Sequence, residues 1–232
     1  MQLLLLSNSR GPDGRYLAHA LDAVRAIANG RRRAVFVPYA GVTMSTTEYT
    51  TTVREALAPA GIDVTSVESA GDAAAQCAAI AQAELVIVGG GNTFMLVRRC
   101  RELGLLDAIS AAVRGGTPYI GWSAGANLAC PTICTTNDMP IIDPMGLDAL
   151  NLIDFQINPH YTNALPEGHR GETRNQRIDE FLVANPTRVV VGLPEGDWLE
   201  VADQTVTLKG SFDALRFVSG AENETLVPGS VL

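Results

Sequence analysis

The stretch Pro118-Tyr119-Ile120-Gly121-Trp122-Ser123-Ala124-Gly125-Ala126-Asn127-Leu128-Ala129 decides how this chain folds. A short apolar run leads into Gly121-Trp122-Ser123-Ala124-Gly125, and a helix-compatible run leads out. That reads as strand, sharp turn and helix, with a serine at the tip. The flanking glycines permit close backbone approach, and the turn lifts the hydroxyl clear of its neighbours. A serine presented in this way becomes a nucleophile when a base stands beside it. Gly and Ser also recur together in ordinary turns, so the five-residue pattern draws its weight from what surrounds it.

Outward from this turn, short apolar runs alternate with segments of helical spacing. Towards the N-terminus the predicted strands are Leu3–Leu6, Ala34–Val37, Val64–Val67 and Leu85–Val88, the last running into Gly89-Gly90-Gly91. Between them Tyr16 to Ile27, Thr46 to Leu57 (capped by Ser45), Ala73 to Ala83 and Thr93 to Arg114 read as helices, the last broken near Gly104. Cys130 to Asp154 is a long irregular segment rich in Pro, Thr, Asn and Asp, and such a segment inside a compact domain is usually functional. Beyond it come a strand at Phe155–Asn158, a helix from Glu172 to Val183 and a strand at Val189–Leu193. Three runs, Leu199–Val201, Val206–Leu208 and Leu215–Val218, read as antiparallel strands joined by tight turns such as Asp203-Gln204. The expected architecture is α/β: a mostly parallel sheet flanked by helices on both faces, with C-terminal antiparallel strands. No linker or repeat interrupts it, so residues 1–232 are expected to form one domain.

Composition narrows the function. Hydrophobic residues make up 47% and charged residues 18%, a globular balance. The net charge is −8, and the longest basic run is Arg31-Arg32-Arg33, which argues against nucleic acid and against an anionic membrane surface. No apolar stretch reaches membrane-spanning length, and no targeting segment is evident, so a cytoplasmic protein is expected. Cys77, Cys100, Cys130 and Cys134 match neither a disulfide framework nor a zinc site, and are expected to be reduced and mostly buried. No metal and no cofactor is expected.

Ligands of open parallel sheets bind beyond the carboxyl ends of the strands. Four predicted strand ends carry chemistry: Gly89-Gly90-Gly91-Asn92, Ser123, His160 and Glu195. Each alone fits an ordinary turn; together they put a glycine loop, a nucleophile, a base and an acid on one rim. His160 is the only histidine directly after a predicted strand, since His19 falls in the first helix and His169 in a polar loop. In the expected chemistry His160 takes the Ser123 proton as the hydroxyl attacks a carbonyl, and Glu195 orients the imidazole. The backbone N–H groups of Gly91 and Ala124 are the candidate oxyanion donors. The chain order Ser…His…Glu differs from the Ser…Asp/Glu…His of α/β-hydrolases, which argues against an esterase of that type. A catalytically silent binding protein on the same fold is the other alternative.

These residues belong to longer strings: Leu3-Leu-Leu-Leu-Ser-Asn-Ser9, Gly89-Gly-Gly-Asn-Thr-Phe94, Gly121-Trp-Ser-Ala-Gly-Ala-Asn-Leu-Ala-Cys-Pro-Thr132, Thr135-Thr-Asn-Asp-Met-Pro140, Ile157-Asn-Pro-His160 and Gly192-Leu-Pro-Glu-Gly196. Through them the chain resembles, nearly end to end, the peptidase E family of α-aspartyl dipeptidases. The resemblance implies a fold akin to class I glutamine amidotransferases and a metal-independent, cytoplasmic serine peptidase. It implies substrates that are dipeptides, and some short peptides, with an N-terminal aspartate, hydrolysed by a Ser123–His160–Glu195 triad through an acyl-enzyme. It implies an aspartate-binding arginine at Arg174, and Asp138 matches an aspartate that also matters in that family; Asp138 is expected to help bind the substrate ammonium, and Asn92 is a further expected substrate-binding residue. Arg174 could equally pair with Glu172 or Glu180 on the surface. A monomer or homodimer is expected, with small peptide substrates and no nucleic-acid or membrane partner.

Overall fold

The computed structural model describes residues 1–165, 168 and 170–232. His169, with its neighbours Pro166 and Glu167, lies outside the described residues, so the predicted loop there is not placed. The larger of two sheets has seven strands. In chain order these are β1 (Gln2–Leu6), β2 (Arg33–Val37), β3 (Asp63–Ser66), β4 (Val86–Val88), β5 (Tyr119–Trp122), β8 (Trp198–Ala202) and β9 (Thr205–Lys209). Their spatial order is β3-β2-β4-β5-β1-β8-β9. The first five are mutually parallel, while β8 and β9 run antiparallel to their neighbours.

Both faces of the parallel part are buried, which is why its strands are continuous apolar runs rather than alternating ones. Leu4 and Leu6 face a core with Val24, Ile27, Val53 and Leu57, from helices α1 (Leu21–Ala28) and α2 (Thr46–Leu57). Leu3 and Leu5 face the other core. That second core is built by α3 (Ala73–Ala81), α4 (Thr93–Glu102), α5 (Leu105–Arg114) and α6 (Ala124–Ala129). Ser45 caps α2 in a reciprocal bond with Glu48, as the expected cap requires. The first helix is shorter than its spacing predicts. Leu17 takes φ 54°, Arg10 and Tyr16 form a bridge, and the Leu17 N–H bonds Ser9 O, so the regular α-helix starts only at Leu21.

The remaining strands leave the main sheet. β6 (Gln156–Asn158) and β7 (Val189–Gly192) pair in parallel, β10 (Ala214–Val218) joins β7 antiparallel, and β11 (Glu224–Leu226) completes a second sheet of order β11-β10-β7-β6. The fold class is the expected one, and the C-terminal antiparallel strands are present. They divide, however, between two sheets: β8 and β9 extend the first through the Asp203-Gln204 hairpin, and β10 extends the second. Helix α7 (Arg174–Ala184) covers the second sheet through Ile178 and Leu182, against Val190 and Phe217.

Backbone approaches backbone closely where β4, β5 and α6 meet. A Cβ on Gly125 would stand 2.3 Å from Val88 O, and one on Gly121 would stand 2.5 Å from Gly125 O. Both obstacles are backbone, which cannot swing aside. The Tyr119 hydroxyl closes the contact by donating to Gly125 O at 2.6 Å. Gly125→Ala should therefore push α6 off the sheet and cost about 1–3 kcal/mol. Its urea midpoint should fall relative to wild type; an unchanged midpoint would show that the helix can shift without penalty.

Candidate active site

Ser123 occupies the one residue between β5 and α6, at φ 52° and ψ −111°. This is a strained region for a residue with a side chain, of the sort found where a nucleophile must be displayed. The Ser123 N–H is tied to Leu6 O at 3.0 Å, so the turn is anchored to β1. Its side chain caps nothing, which leaves the hydroxyl to other partners.

His160 stands just past the end of β6, also at positive φ (53°), and Glu195 just past β7. His160 Nε2 lies 2.9 Å from Ser123 Oγ, and His160 Nδ1 lies 2.6 Å from Glu195 Oε1. The hydroxyl, imidazole and carboxylate thus form one continuous chain of hydrogen bonds. Glu195 is 64% exposed and His160 37%, so the pair contributes orientation more than stability. An imidazole held between a hydroxyl and a carboxylate can draw the serine proton and return it to a leaving group.

Of the predicted oxyanion donors, Ala124 directly follows the serine and Gly91 lines the same cleft. Ala124 is the first residue of α6, and no backbone carbonyl receives its N–H among the described residues. Gly91 has φ 133°, and a Cβ there would lie 2.2 Å from Ala40 O, so only glycine fits. The glycine loop is fixed by Tyr49, whose buried hydroxyl donates to Gly90 O at 2.8 Å and accepts from Trp122 Nε1 at 3.2 Å. Burial pushes the Tyr49 hydroxyl well above its ordinary value, so it keeps the proton that it donates.

Asp138 comes from the long irregular segment and reaches the same cleft. Its Oδ2 accepts from Thr93 N at 2.7 Å, Thr93 Oγ1 at 2.5 Å and Thr136 Oγ1 at 3.1 Å. No partner holds its Oδ1 among the described residues. Asn92 caps α4 by accepting from Met95 N, and its amide donates to Met139 O. Asn92 therefore has a structural task as well as a place in the cleft wall. Arg174 is not brought to the cleft. It is the first residue of α7, half-buried near Tyr161, and burial together with Arg177 lowers its pKa. It pairs with neither Glu172 nor Glu180 among the described residues; Glu172 lies 3.8 Å from Arg177 instead. All four cysteines are free thiols; Cys100 and Cys130 are buried, Cys77 is half-buried and Cys134 is exposed.

Three contributors escaped the sequence reading. Ser7 is fully buried at the end of β1, where its hydroxyl accepts the His160 N–H at 2.7 Å and donates to Leu193 O at 2.8 Å. Asn8 accepts the Gly196 N–H at 2.9 Å. Together they register the second sheet on the first. The abrupt change from four leucines to Ser7-Asn8-Ser9 is the signal that marks them. Tyr49 lies one helical turn into α2 and carries no such mark.

The cleft holds about 1040 Å³ and includes Ser123, His160, Glu195, Asp138, Gly91 and Asn92 in its wall. The family model for peptidase family S51 matches residues 3–209. The chain belongs to peptidase family S51, a family of serine peptidases. It is 57% identical over 229 residues to Peptidase E of Citrobacter koseri, covering 99% of each chain. Peptidase E of Escherichia coli (strain K12 / DH10B) is 56% identical over the same length and the same coverage. The fold is also that of a crystal structure of a peptidase from an acI-B1 actinobacterium, at a TM-score of 0.74 and 16% identity, covering 100% of this chain and 96% of that one. No helix of the described residues is long and apolar enough to cross a membrane.

The strain at Ser123 can be measured. Ser123→Gly should be more stable than Ser123→Ala by about 1 kcal/mol, because only glycine relaxes at this φ. Chemical denaturation of the two variants side by side tests this; equal stabilities would mean that the elbow is unstrained.

Proposed function

We propose that this chain is a serine dipeptidase that hydrolyses the peptide bond after an N-terminal aspartate. The observation that carries the reading is the hydrogen-bonded line from Ser123 through His160 to Glu195 on a strained strand-to-helix turn. Ser123 attacks the scissile carbonyl while His160 accepts its proton. The oxyanion is met by the N–H groups of Gly91 and Ala124, at a helix start where the dipole favours negative charge. His160 then protonates the departing amine, and water hydrolyses the acyl-enzyme by the reverse route. Glu195 fixes the tautomer and balances the imidazolium charge. Every step uses groups of the chain itself, acting as one cytoplasmic peptidase domain, as monomer or homodimer.

The acidic substrate poses an electrostatic problem, because a chain of net charge −8 repels it at long range. A local cation must recover the loss, and an arginine does so with two parallel hydrogen bonds. Arg174 has that role in this reading, which requires the start of α7 to approach Ser123 as substrate binds. The unpartnered Oδ1 of Asp138 receives the substrate ammonium, and Asn92 holds the adjoining wall.

The test is hydrolysis of Asp-Leu against Glu-Leu, Asn-Leu and acetyl-Asp-Leu. Asp-Leu alone should be cleaved rapidly, and Ser123→Ala should lose at least about 1,000-fold in kcat. Asp138→Asn should depress kcat/KM on Asp-Leu, and Arg174→Met should erase the preference for Asp-Leu over Asn-Leu. Absence of Asp-Leu cleavage by folded wild type would remove the substrate assignment. Cleavage of simple nitrophenyl esters alone would point to an esterase.

A further inference from the structure

Arg10 is the only arginine or lysine in the cleft wall among the described residues. Its place is set by a short closed loop. Arg10 bridges Tyr16, the Leu17 N–H bonds Ser9 O at 2.6 Å, and Arg10 O accepts from Asn8 Nδ2 at 2.6 Å. The guanidinium is also held: Nη1 donates to Gly14 O at 2.7 Å, and Cζ lies 5.3 Å over the Tyr16 ring. One of its five N–H groups is therefore spoken for, and no carboxylate lies within ion-pair distance among the described residues. Arg33, by contrast, closes its fork on Glu84. An open fork in the cleft wall has the geometry to take a carboxylate of a bound ligand through two parallel hydrogen bonds.

Strand order says which carboxylate. β5 lies between β4 and β1, so Ser123 has two distinct sides. The β4 side carries Gly91 and Asn92, and Asp138 is bonded there to Thr93. The β1 side carries Ser7, which holds His160, and Asn8, which holds both Gly196 and the Arg10 backbone. The imidazole protonates the leaving amine, so the leaving residue lies on the His160 side. Arg10 belongs to that side by its place in the chain just after β1 and by the bond of its carbonyl to Asn8, whereas Asp138 is bonded to Thr93 at the start of α4, on the β4 side.

We propose that Arg10 binds the C-terminal carboxylate of the leaving residue and so selects dipeptides over longer or capped substrates. This rests on the dipeptidase reading above and assigns the site beyond the scissile bond. In a dipeptide that carboxylate falls one residue past the attacked carbonyl; in a tripeptide it moves out by about 3.3–3.6 Å and an uncharged amide takes its place.

The experiment compares Asp-Leu, Asp-Leu-amide and Asp-Leu-Leu for wild type, Arg10→Met and Arg10→Lys. Wild type should prefer Asp-Leu to its amide by roughly 10- to 100-fold. Arg10→Met should lose the same factor on Asp-Leu, chiefly through KM, while staying within about twofold of wild type on the amide. Arg10→Lys should recover part of the loss, since it keeps the charge without the fork. A role in loop structure alone, or binding of the aspartate side chain, would depress both substrates alike in Arg10→Met and would overturn the proposal. So would equal cleavage of Asp-Leu and its amide by wild type. Failure of wild type to cleave either peptide would instead refute the aspartyl dipeptidase reading, and this one with it.

Discussion

Everything at the site depends on one backbone constraint: a serine forced to positive φ between a buried strand and a buried helix. Such a conformation costs about 1–3 kcal/mol and persists only where the surroundings allow nothing else. Here the surroundings are backbone. Gly121 and Gly125 bring α6 against β4 and β5 at distances that admit no side chain, and Leu6 O holds the serine N–H from the opposite strand. The cores on both sheet faces supply the burial that offsets the strain. With the elbow fixed, the helix start at Ala124 follows, and the glycine loop packs beside it, where a Cβ on Gly90 would lie 3.0 Å from Ser123 Cβ.

The second constraint is that the groups acting on the serine arrive from another sheet. His160 and Glu195 end β6 and β7, which pair with each other and not with β5. An imidazole 2.9 Å from a hydroxyl across a sheet boundary requires that the two sheets be registered to within a fraction of an ångström. The polar tail of β1 does this. Ser7 touches the chain just past β6 and just past β7 through His160 N and Leu193 O, its own N–H bonds Asp197 O, and Asn8 adds Gly196. Asp197 extends the tie by accepting from Ser211 and Phe212, and burial raises its pKa. The long segment carrying Asp138 is held in the same manner: the Asn158 amide donates to Asn137 Oδ1, the Asn137 amide donates to Pro159 O, and the Thr135 hydroxyl donates to Ile157 O.

How much of this was legible follows from which forces are local. The parallel strands and their helices could be read because burial on both faces writes itself as unbroken apolar runs such as Leu3–Leu6. The elbow could be read because its glycines and serine answer to a local steric requirement. Ser123, His160 and Glu195 were each placed after a strand, and their convergence is a matter of distances that the structure supplies. The division into two sheets was not legible: strand propensity says nothing of which edge a strand will join, so β10 looked like a continuation of β8 and β9. Nor was the left-handed turn at Leu17, which departs from the helical spacing of its own segment because Tyr16 is claimed by Arg10. Tyr49 was invisible for a similar reason, since its hydroxyl acts on a loop 41 residues away.

The charge layout of the cleft has its own logic. A free Asp-dipeptide carries a cation at one end and a carboxylate at the other, with a second carboxylate on its first side chain. Coulomb interactions in an exposed cleft are screened, so the protein's overall −8 matters less than the few charges within one screening length of the substrate. In the proposed binding mode Asp138 meets the substrate ammonium and Arg10 its terminal carboxylate, a polarity opposite to that of the peptide itself. A peptide entering in reverse would set its carboxylate against Asp138 and its ammonium against Arg10. Like charges so placed reject the wrong orientation as firmly as the opposite ones favour the right one. On this reading the flanking charges decide which carbonyl reaches the serine, and the serine, imidazole and carboxylate cut whatever bond they are given.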